Sequence, residues 1–217
     1  MAIEHKDIAA IREDYAKGTL LESDVDKNPF HQFKSWFDQA IDAAVVEPNA
    51  MVLATVDADG FPSSRIVLLK DIKATGFSFF TNYESKKAMD MAYSAQVSLL
   101  FFWPELQRQV RVLGTIEKLP AEDSDAYYAS RPKGSRIGAW ASPQSQFIPN
   151  RNFIEERFDY YAKQYAEQED IPRPLHWGGY IVKPIYFEFW QGRSSRMHDR
   201  LVYVWEQGDW QLNRLAP

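Results

Sequence analysis

The sequence predicts an α+β fold, mainly β with peripheral helices, built on an antiparallel barrel. Apolar residues recur at helical spacing up to residue 48, and from Ala50 the spacing changes to two. The alternating segments that follow are separated by short turns. Few strand–helix–strand spacings occur, which disfavours a doubly wound parallel sheet. With 217 residues and 45% hydrophobic content, the chain has material for one compact core, and no linker or repeat divides it. The expectation is a single domain over 1–217, with a helical segment at 1–48 and a barrel with inserted helices at 49–217.

A first short helix begins near Ile8, passes Arg12 and Tyr15, and stops at Gly18. Asn28-Pro29 then offers a cap and a first-turn proline for a second helix. Phe30, Phe33, Phe37, Ile41, Ala44 and Val45 form its apolar stripe, and Pro48-Asn49 ends it. Residues 51–56, the turn Asp57-Ala58-Asp59-Gly60 and residues 63–70 read as a hairpin. Further strands are expected at 77–81, 97–103, 107–118, 179–182, 185–190, 201–206 and 210–215. Helices are expected at 85–95 and 121–130, from Ser135, and at 152–165, the last burying Ile154, Phe158, Tyr161 and Tyr165.

Composition narrows the function. The chain has no cysteine, so disulfides, thiolate metal sites and a thiol nucleophile are excluded. No apolar stretch approaches the ~18–20 residues of a membrane span, and the start lacks an apolar signal core. A cytoplasmic location is expected. The net charge of −5 resides in residues 1–50, and the remainder holds 20 basic and 20 acidic residues. Such a chain is a poor general binder of nucleic acid or anionic membrane. Its basic clusters read instead as pockets for small anions. No Gly-x-Gly-x-x-Gly turn or Walker loop occurs, and the four histidines lack metal-ligand spacing, so no metal is expected.

Two such clusters stand out. Ser85 reads as a helix N-cap followed by Lys86 and Lys87; cations there oppose the helix dipole unless an anion binds them. Tyr127 and Arg131 are four apart and share a helical face if the helix reaches that far, and Ser135 opens another helix; together they make a second anion site. Between them in chemistry lies Arg65-Ile66-Val67-Leu68-Leu69-Lys70, an apolar strand with basic ends, fit either for the core or for the floor of a flat aromatic ligand. Gln107, Gln109 and Arg111 share a strand face, exposed or turned to a polar ring edge. If the chain is extended after Gly192-Arg193-Ser194-Ser195, then Arg196, His198 and Arg200 share a face that an anionic or electron-rich ligand would stabilise; a solvated strand edge fits the same spacing.

The run Glu188-Phe189-Trp190-Gln191, four residues, then Arg196-Met197-His198-Asp199-Arg200 resembles the signature of the pyridoxine (pyridoxamine) 5′-phosphate oxidase family. The similarity extends from about Ile8 to the terminal Arg214-Leu215-Ala216-Pro217. It implies a split β-barrel of the FMN-binding type, with an antiparallel Greek-key sheet, dimerising with FMN at the subunit interface. It also implies FMN-dependent oxidation of pyridoxine 5′-phosphate and pyridoxamine 5′-phosphate by O2 to pyridoxal 5′-phosphate, releasing H2O2 and, from the amine, NH3. By resemblance, FMN contacts fall on Arg65, Ile66, Val67, Leu68, Leu69, Lys70, Phe80, Thr81, Ser85, Lys86, Lys87, Gln109, Gln144, Ser145, Trp190 and Arg200. Lys70, Tyr127, Arg131 and Ser135 would hold the substrate phosphate, Arg196 and His198 would act on the substrate ring, and Arg12 and Tyr15 would close over it. Two other readings stand beside this one. They are a related split-barrel flavoprotein with another substrate, and a non-catalytic carrier of FMN or pyridoxal phosphate.

Overall fold

The computed structural model describes residues 14–217. The predicted first helix and Arg12 lie largely or wholly outside these residues. Among the described residues nine strands form one sheet in the order β2 (Pro62–Leu68), β1 (Ala50–Val56), β5 (Gln96–Trp103), β6 (Arg108–Lys118), β7 (Trp177–Gln191), β4 (Gly76–Asn82) and β3 (Asp71–Lys73), with β8 (Asp199–Glu206) paired to β7 and β9 (Asp209–Leu215) to β8. The chain divides into two compact units. Strands β5 (Gln96–Trp103), β6 (Arg108–Lys118) and β7 (Trp177–Gln191) each contribute to both.

One unit comprises the segment up to Pro48, Leu100–Val112 and Tyr186–Pro217. Its helix α1 (Pro29–Asp42) starts as predicted: the Asn28 side chain accepts the Phe30 N–H at 2.9 Å, and Pro29 needs no partner for a missing donor. The helix ends sooner than expected, at Asp42. Ala44 turns left-handed (φ 53°), and the Val45 N–H reaches back to the Ala40 carbonyl. The buried face is therefore Gln32, Phe33, Trp36 and Ala40, whereas Ile41 of the predicted stripe is exposed. Phe33 packs on Phe101 (4.9 Å between ring centres) and Trp36 on Phe189 (5.2 Å). Each edge-to-face pair adds about 0.5–1.5 kcal/mol to the area it buries. Strands β8 (Asp199–Glu206) and β9 (Asp209–Leu215) complete this unit as an antiparallel hairpin.

The other unit comprises Asn49–Leu99 and Leu113–Ile185. Its hairpin of β1 (Ala50–Val56) and β2 (Pro62–Leu68) follows the sequence reading. Gly60 takes the left-handed turn position at φ 84°, and the Asp57 carboxylate accepts the Asp59 and Phe61 N–H groups. Sequence periodicity missed the three-residue β3 (Asp71–Lys73), which pairs with β4 (Gly76–Asn82). Helix α2 (Lys86–Tyr93) has Ser85 at its N-cap position, but the Ser85 side chain does not cap it and donates instead to the Asn82 carbonyl at 2.7 Å. Helices α3 (Ala121–Ser130), α4 (Lys133–Ala141) and α5 (Arg151–Gln164) follow. The fourth helix begins at Lys133, two residues before the predicted Ser135, because Pro132 presets the helix entry. The fifth is capped by Asn150 and buries none of its residues fully; Phe158 is exposed, while Tyr165 just beyond it is buried.

Two strands predicted at 179–182 and 185–190 are one strand, β7. Pro184 falls between the stretch paired with β4 and the stretch paired with β8, so its missing N–H breaks neither ladder. Gln107 is not in β6. It closes a 3-10 turn, Pro104–Leu106, in left-handed geometry (φ 53°, ψ 44°), so the face expected with Gln109 and Arg111 holds only the latter two.

Candidate functional site

In the second unit the chain lines a cavity of about 490 Å³. Its floor comes from β2. After Leu68 the chain leaves β1 and turns to β4: the Leu69 N–H donates to the Asn49 carbonyl and the Lys70 N–H to the Ser78 carbonyl, both at 2.8 Å. Leu69 is thereby buried in the core, while Ile66, Val67, Leu68 and Lys70 line the cavity. Phe80 and Thr81 come from β4, Tyr127 from α3, and Arg131, Pro132 and Ser135 from the α3–α4 junction. Gln144, Lys87 and Trp177 complete the lining.

Its electrostatics are one-sided. Lys70, Lys87 and Arg131 face the space, and no carboxylate is among the lining residues. Arg131 is not on helix α3 as its spacing from Tyr127 suggested; it is the extended residue that ends the helix. Its guanidinium lies over the Trp177 ring at 4.6 Å, and its buried Nη1 has no hydrogen-bond partner. Burial lowers the Arg131 pKa, opposed by Tyr127 and Tyr128. A buried guanidinium nitrogen without an acceptor is costly, and an anion in the cavity would relieve that cost. Ser135 lies in the first turn of α4, whose N-terminus also favours an anion. Phe80 stacks on Tyr127 (3.9 Å between ring centres, 19°), fixing the phenol that lines the same wall.

Lys87 and Lys86, predicted as one cradle, have different environments. The Lys87 ammonium donates only to neutral oxygens: Gln144 Oε1 at 2.7 Å, Ser85 Oγ at 3.0 Å and Thr81 Oγ1 at 3.2 Å. Burial, with Arg65 nearby, lowers its pKa to about 8. Lys86 is instead held by Asp90 at 2.6 Å and Asp57 at 3.1 Å, which raise its pKa. Arg65 spends its donors on the Leu53 carbonyl, Thr55 Oγ1 and Ser63 Oγ, with Asp90 at 3.6 Å. Arg65, Ser85, Lys86, Leu69 and Ser145 therefore lie outside the cavity lining. Asp57 and Asp90 were missed by sequence reasoning, although Asp90 is four residues from Lys86 on one helix. Trp177 had no signal beyond its residue type.

The remaining predicted residues lie in the first unit. Trp190 of β7 and Arg200 of β8 are directly opposed, so they share a sheet face. Arg200 is paired with the buried Glu188 (Nε to Oε1, 2.8 Å), which also receives Arg111 Nη2 and, at 3.2 Å, the Tyr186 hydroxyl. Burial pushes the Glu188 carboxyl up, but Arg200 and Arg111 outweigh it and hold it below the usual range. Half-buried Gln109 precedes Arg111 on its side of β6.

The condition for Arg196, His198 and Arg200 to share a face, extended chain directly after the glycine turn, is not met, and only Asp199 and Arg200 of that run are in a strand. Residues Ser194–Arg196 make a 3-10 turn in which Ser195 (φ 56°) and Arg196 (φ 59°) are both left-handed, and β8 starts at Asp199, two residues before the expected strand. Left-handed geometry costs roughly 1–2 kcal/mol per residue, and such strain concentrates at functional positions. Arg196 is exposed, and His198 lies with its ring centre 4.7 Å from that of Trp190. The Arg193 N–H donates to His198 Nδ1 at 3.1 Å, which leaves Nε2 as the protonated nitrogen of the neutral ring. Tyr15 packs against both Trp190 and His198, each at 5.8 Å. Gly192 is needed below it, because a Cβ there would lie 2.9 Å from the tyrosine ring.

Among the described residues no cluster of His, Cys, Asp or Glu could hold a metal, and no helix is long and apolar enough to cross a membrane. Residues 37–165 match the family described as pyridoxamine 5′-phosphate oxidase, and residues 177–217 match the pyridoxine 5′-phosphate oxidase C-terminal dimerisation region. A Paraburkholderia phytofirmans protein named pyridoxine/pyridoxamine 5′-phosphate oxidase is 56% identical over 212 residues, 97% of this chain and 99% of that one. The crystal structure of PhzG from Burkholderia lata 383, in complex with tetrahydrophenazine-1-carboxylic acid, superposes with a TM-score of 0.86 at 29% identity, covering 92% of this chain and 98% of that one. An FMN-binding, pyridoxamine 5′-phosphate oxidase-related protein from Nostoc punctiforme has a TM-score of 0.66 at 16% identity, covering 85% of this chain and 97% of that one. These likenesses establish the expected split-barrel fold.

Proposed function

We propose a reaction for this chain from one premise: it belongs to the pyridoxamine 5′-phosphate oxidase family. The reaction is oxidation of pyridoxine 5′-phosphate or pyridoxamine 5′-phosphate by dioxygen to pyridoxal 5′-phosphate, with release of hydrogen peroxide and, from the amine, ammonia. The protein works in the cytoplasm as a homodimer, and the match to a dimerisation region supports the dimer. The observation that carries the reading is the acid-free cavity lined by Lys70, Lys87 and Arg131, whose buried Nη1 has no hydrogen-bond partner. One cavity thus offers cations to two phosphate groups.

The cofactor is FMN, and the residues present fit it. Lys87, with only neutral partners, has charge to give to the cofactor phosphate, beside Thr81. Ile66, Val67 and Leu68 offer an apolar edge to the flavin ring system, and Gln144 a polar one. Arg65, Ser85 and Lys86 support the cradle from outside its lining: Asp57 and Asp90 hold Lys86, Asp90 lies 3.6 Å from Arg65, and Ser85 Oγ accepts from Lys87. When bound, FMN supplies the redox chemistry, accepting a hydride equivalent from the substrate and passing two electrons to dioxygen.

Lys70, Tyr127, Arg131 and Ser135 hold the substrate phosphate, each charge-assisted bond contributing roughly 1.5–3 kcal/mol. Arg196 and His198 orient the carbon that is oxidised, and the guanidinium stabilises charge that develops there. Because His198 Nδ1 is engaged by the main chain, Nε2 is the nitrogen that faces substrate. Tyr15, Trp190 and Arg200 complete the surroundings of that group, with Gln109 on the flavin. The likeness to PhzG favours a second reading, a flavin oxidase for a tricyclic carboxylate. Purified protein given pyridoxine 5′-phosphate in air should form pyridoxal 5′-phosphate and peroxide in equal amounts. Oxidation of a reduced phenazine carboxylate with no action on the phosphate ester would favour the second reading.

A further inference from the structure

Gln107 has no part in the reaction above, yet all four of its acceptor positions are filled. An amide oxygen offers two lone pairs, and here Oε1 takes the Ala16 N–H at 3.0 Å and the Lys17 N–H at 3.2 Å. Its main-chain carbonyl takes the Gly192 N–H at 2.8 Å and Gln191 Nε2 at 3.2 Å. The two donor segments lie about ninety residues away in opposite directions along the chain. Gln107 itself is buried and holds a left-handed backbone, where glycine would be easier. A side chain kept at such a position, with its oxygen fully used, points to a role for that oxygen.

The segment held by Gln107 carries Tyr15. Residues 15–20 are fastened again where the Leu20 N–H donates to Asp199 Oδ2 at 3.1 Å, and Leu20 is buried there. Lys17 adds a bond from its ammonium to the Glu105 carbonyl. The Gln191–Gly192 stretch held by the same residue leads directly into the turn with Arg196 and His198. We propose that Gln107 is a positioning residue. It clamps the segment carrying Tyr15 and the turn carrying Arg196 and His198 to a single point, and so sets the Tyr15 ring against Trp190 and His198. This rests on the reading of those side chains as the substrate-facing group.

The test compares Gln107→Met, which keeps the length but removes the acceptor, with Gln107→Glu, which keeps an oxygen there. Both are measured as FMN-loaded enzyme with pyridoxine 5′-phosphate, alongside amide hydrogen exchange at Ala16 and Lys17. Q107M should raise KM roughly tenfold with kcat changed less than about twofold, and should speed exchange at the two amides roughly tenfold. Q107E should stay near wild type in both. Equal losses in the two variants, or unchanged exchange at Ala16 and Lys17 in Q107M, would overturn the proposal. If Q107M does not fold, Gln107→Asn, whose oxygen falls one methylene short, takes its place. A wild-type protein that fails to oxidise the ester would refute the enzymatic reading alone, because the exchange measurement still decides the clamp.

Discussion

Raising the pH from 7 to 9 should weaken FMN binding about tenfold through one side chain, Lys87. Burial and the neighbouring Arg65 bring its pKa down to about 8 in the free protein. About nine-tenths of the amine is therefore charged at pH 7 and about one-tenth at pH 9. A bound phosphate, whose own last proton leaves near pH 6, favours the charged amine and holds its proton. Binding then takes up a proton above pH 8, and affinity falls up to tenfold per pH unit there. The unliganded fold behaves oppositely. A lysine with a lowered pKa carries fewer protons folded than unfolded between pH 8 and about 10.4, so the FMN-free protein gains stability across that window. The assay is quenching of flavin fluorescence on titration with apoprotein, run with FMN and with riboflavin, which lacks the phosphate. Lys87→Gln should lose the pH slope and, at pH 7, roughly ten- to a hundredfold in FMN affinity, one charge-assisted bond. Riboflavin binding should be nearly indifferent to both changes. A slope that persists in Lys87→Gln, or that riboflavin shares, would show that Lys87 does not meet the phosphate.

Four further outcomes are expected. Arg196→Ala should cut turnover by about 10²-fold or more while FMN stays bound, checked by single-turnover kinetics on holoenzyme. Loss of FMN with unchanged activity per bound flavin would contradict its assigned role. Arg131→Ala should raise the KM for the phosphate ester by about ten- to a hundredfold with a smaller change in kcat, because it removes a phosphate bond and not the orienting pair. Glu188→Gln should destabilise the fold by about 1.5–3 kcal/mol in urea at pH 7. The native Glu188 pKa is depressed, so its contribution is present above the ordinary carboxylate pKa and disappears as pH falls through the lower folded value; the acid limb of the stability curve should flatten in the variant. Ala44→Gly should stabilise the protein by about 1 kcal/mol in the same titration, since Ala44 occupies the left-handed position that ends α1.

Where one local rule governs, the sequence was readable. Asn28-Pro29 starts α1, and Asp57 with Gly60 turns the β1–β2 hairpin, because cap and turn chemistry are fixed within a few residues. Periodicity failed where tertiary bonds set the backbone. The shared face of Arg196, His198 and Arg200 required extended chain after the glycine turn, but the bond from Arg193 to His198 closes a turn, and the chain becomes a strand only from Asp199, two residues before the strand expected at 201–206. Gln107 looked like the first residue of a strand, whereas its partners at Ala16 and Gly192 are far along the chain in both directions. Charge reading had the same limit. Lys86 and Lys87 read as one cradle, although Asp90, four residues beyond Lys86, is placed to pair it; the fold adds Asp57 to Lys86 and leaves Lys87 lining the cavity. The gathering of Lys70, Tyr127, Arg131 and Ser135 on one cavity was anticipated, although the helix expected at 121–130 forms with those bounds and leaves Arg131 just beyond its end.

The central claim is that one acid-free cavity holds a flavin phosphate and a substrate phosphate together. Anaerobic addition of pyridoxine 5′-phosphate to the purified yellow holoenzyme tests it most directly, with the flavin absorbance near 450 nm as the readout. The account predicts bleaching by the ester, little bleaching by pyridoxine without its phosphate, and recovery of colour on admitting air. An unchanged spectrum with the ester, or equal bleaching by the two, would contradict it.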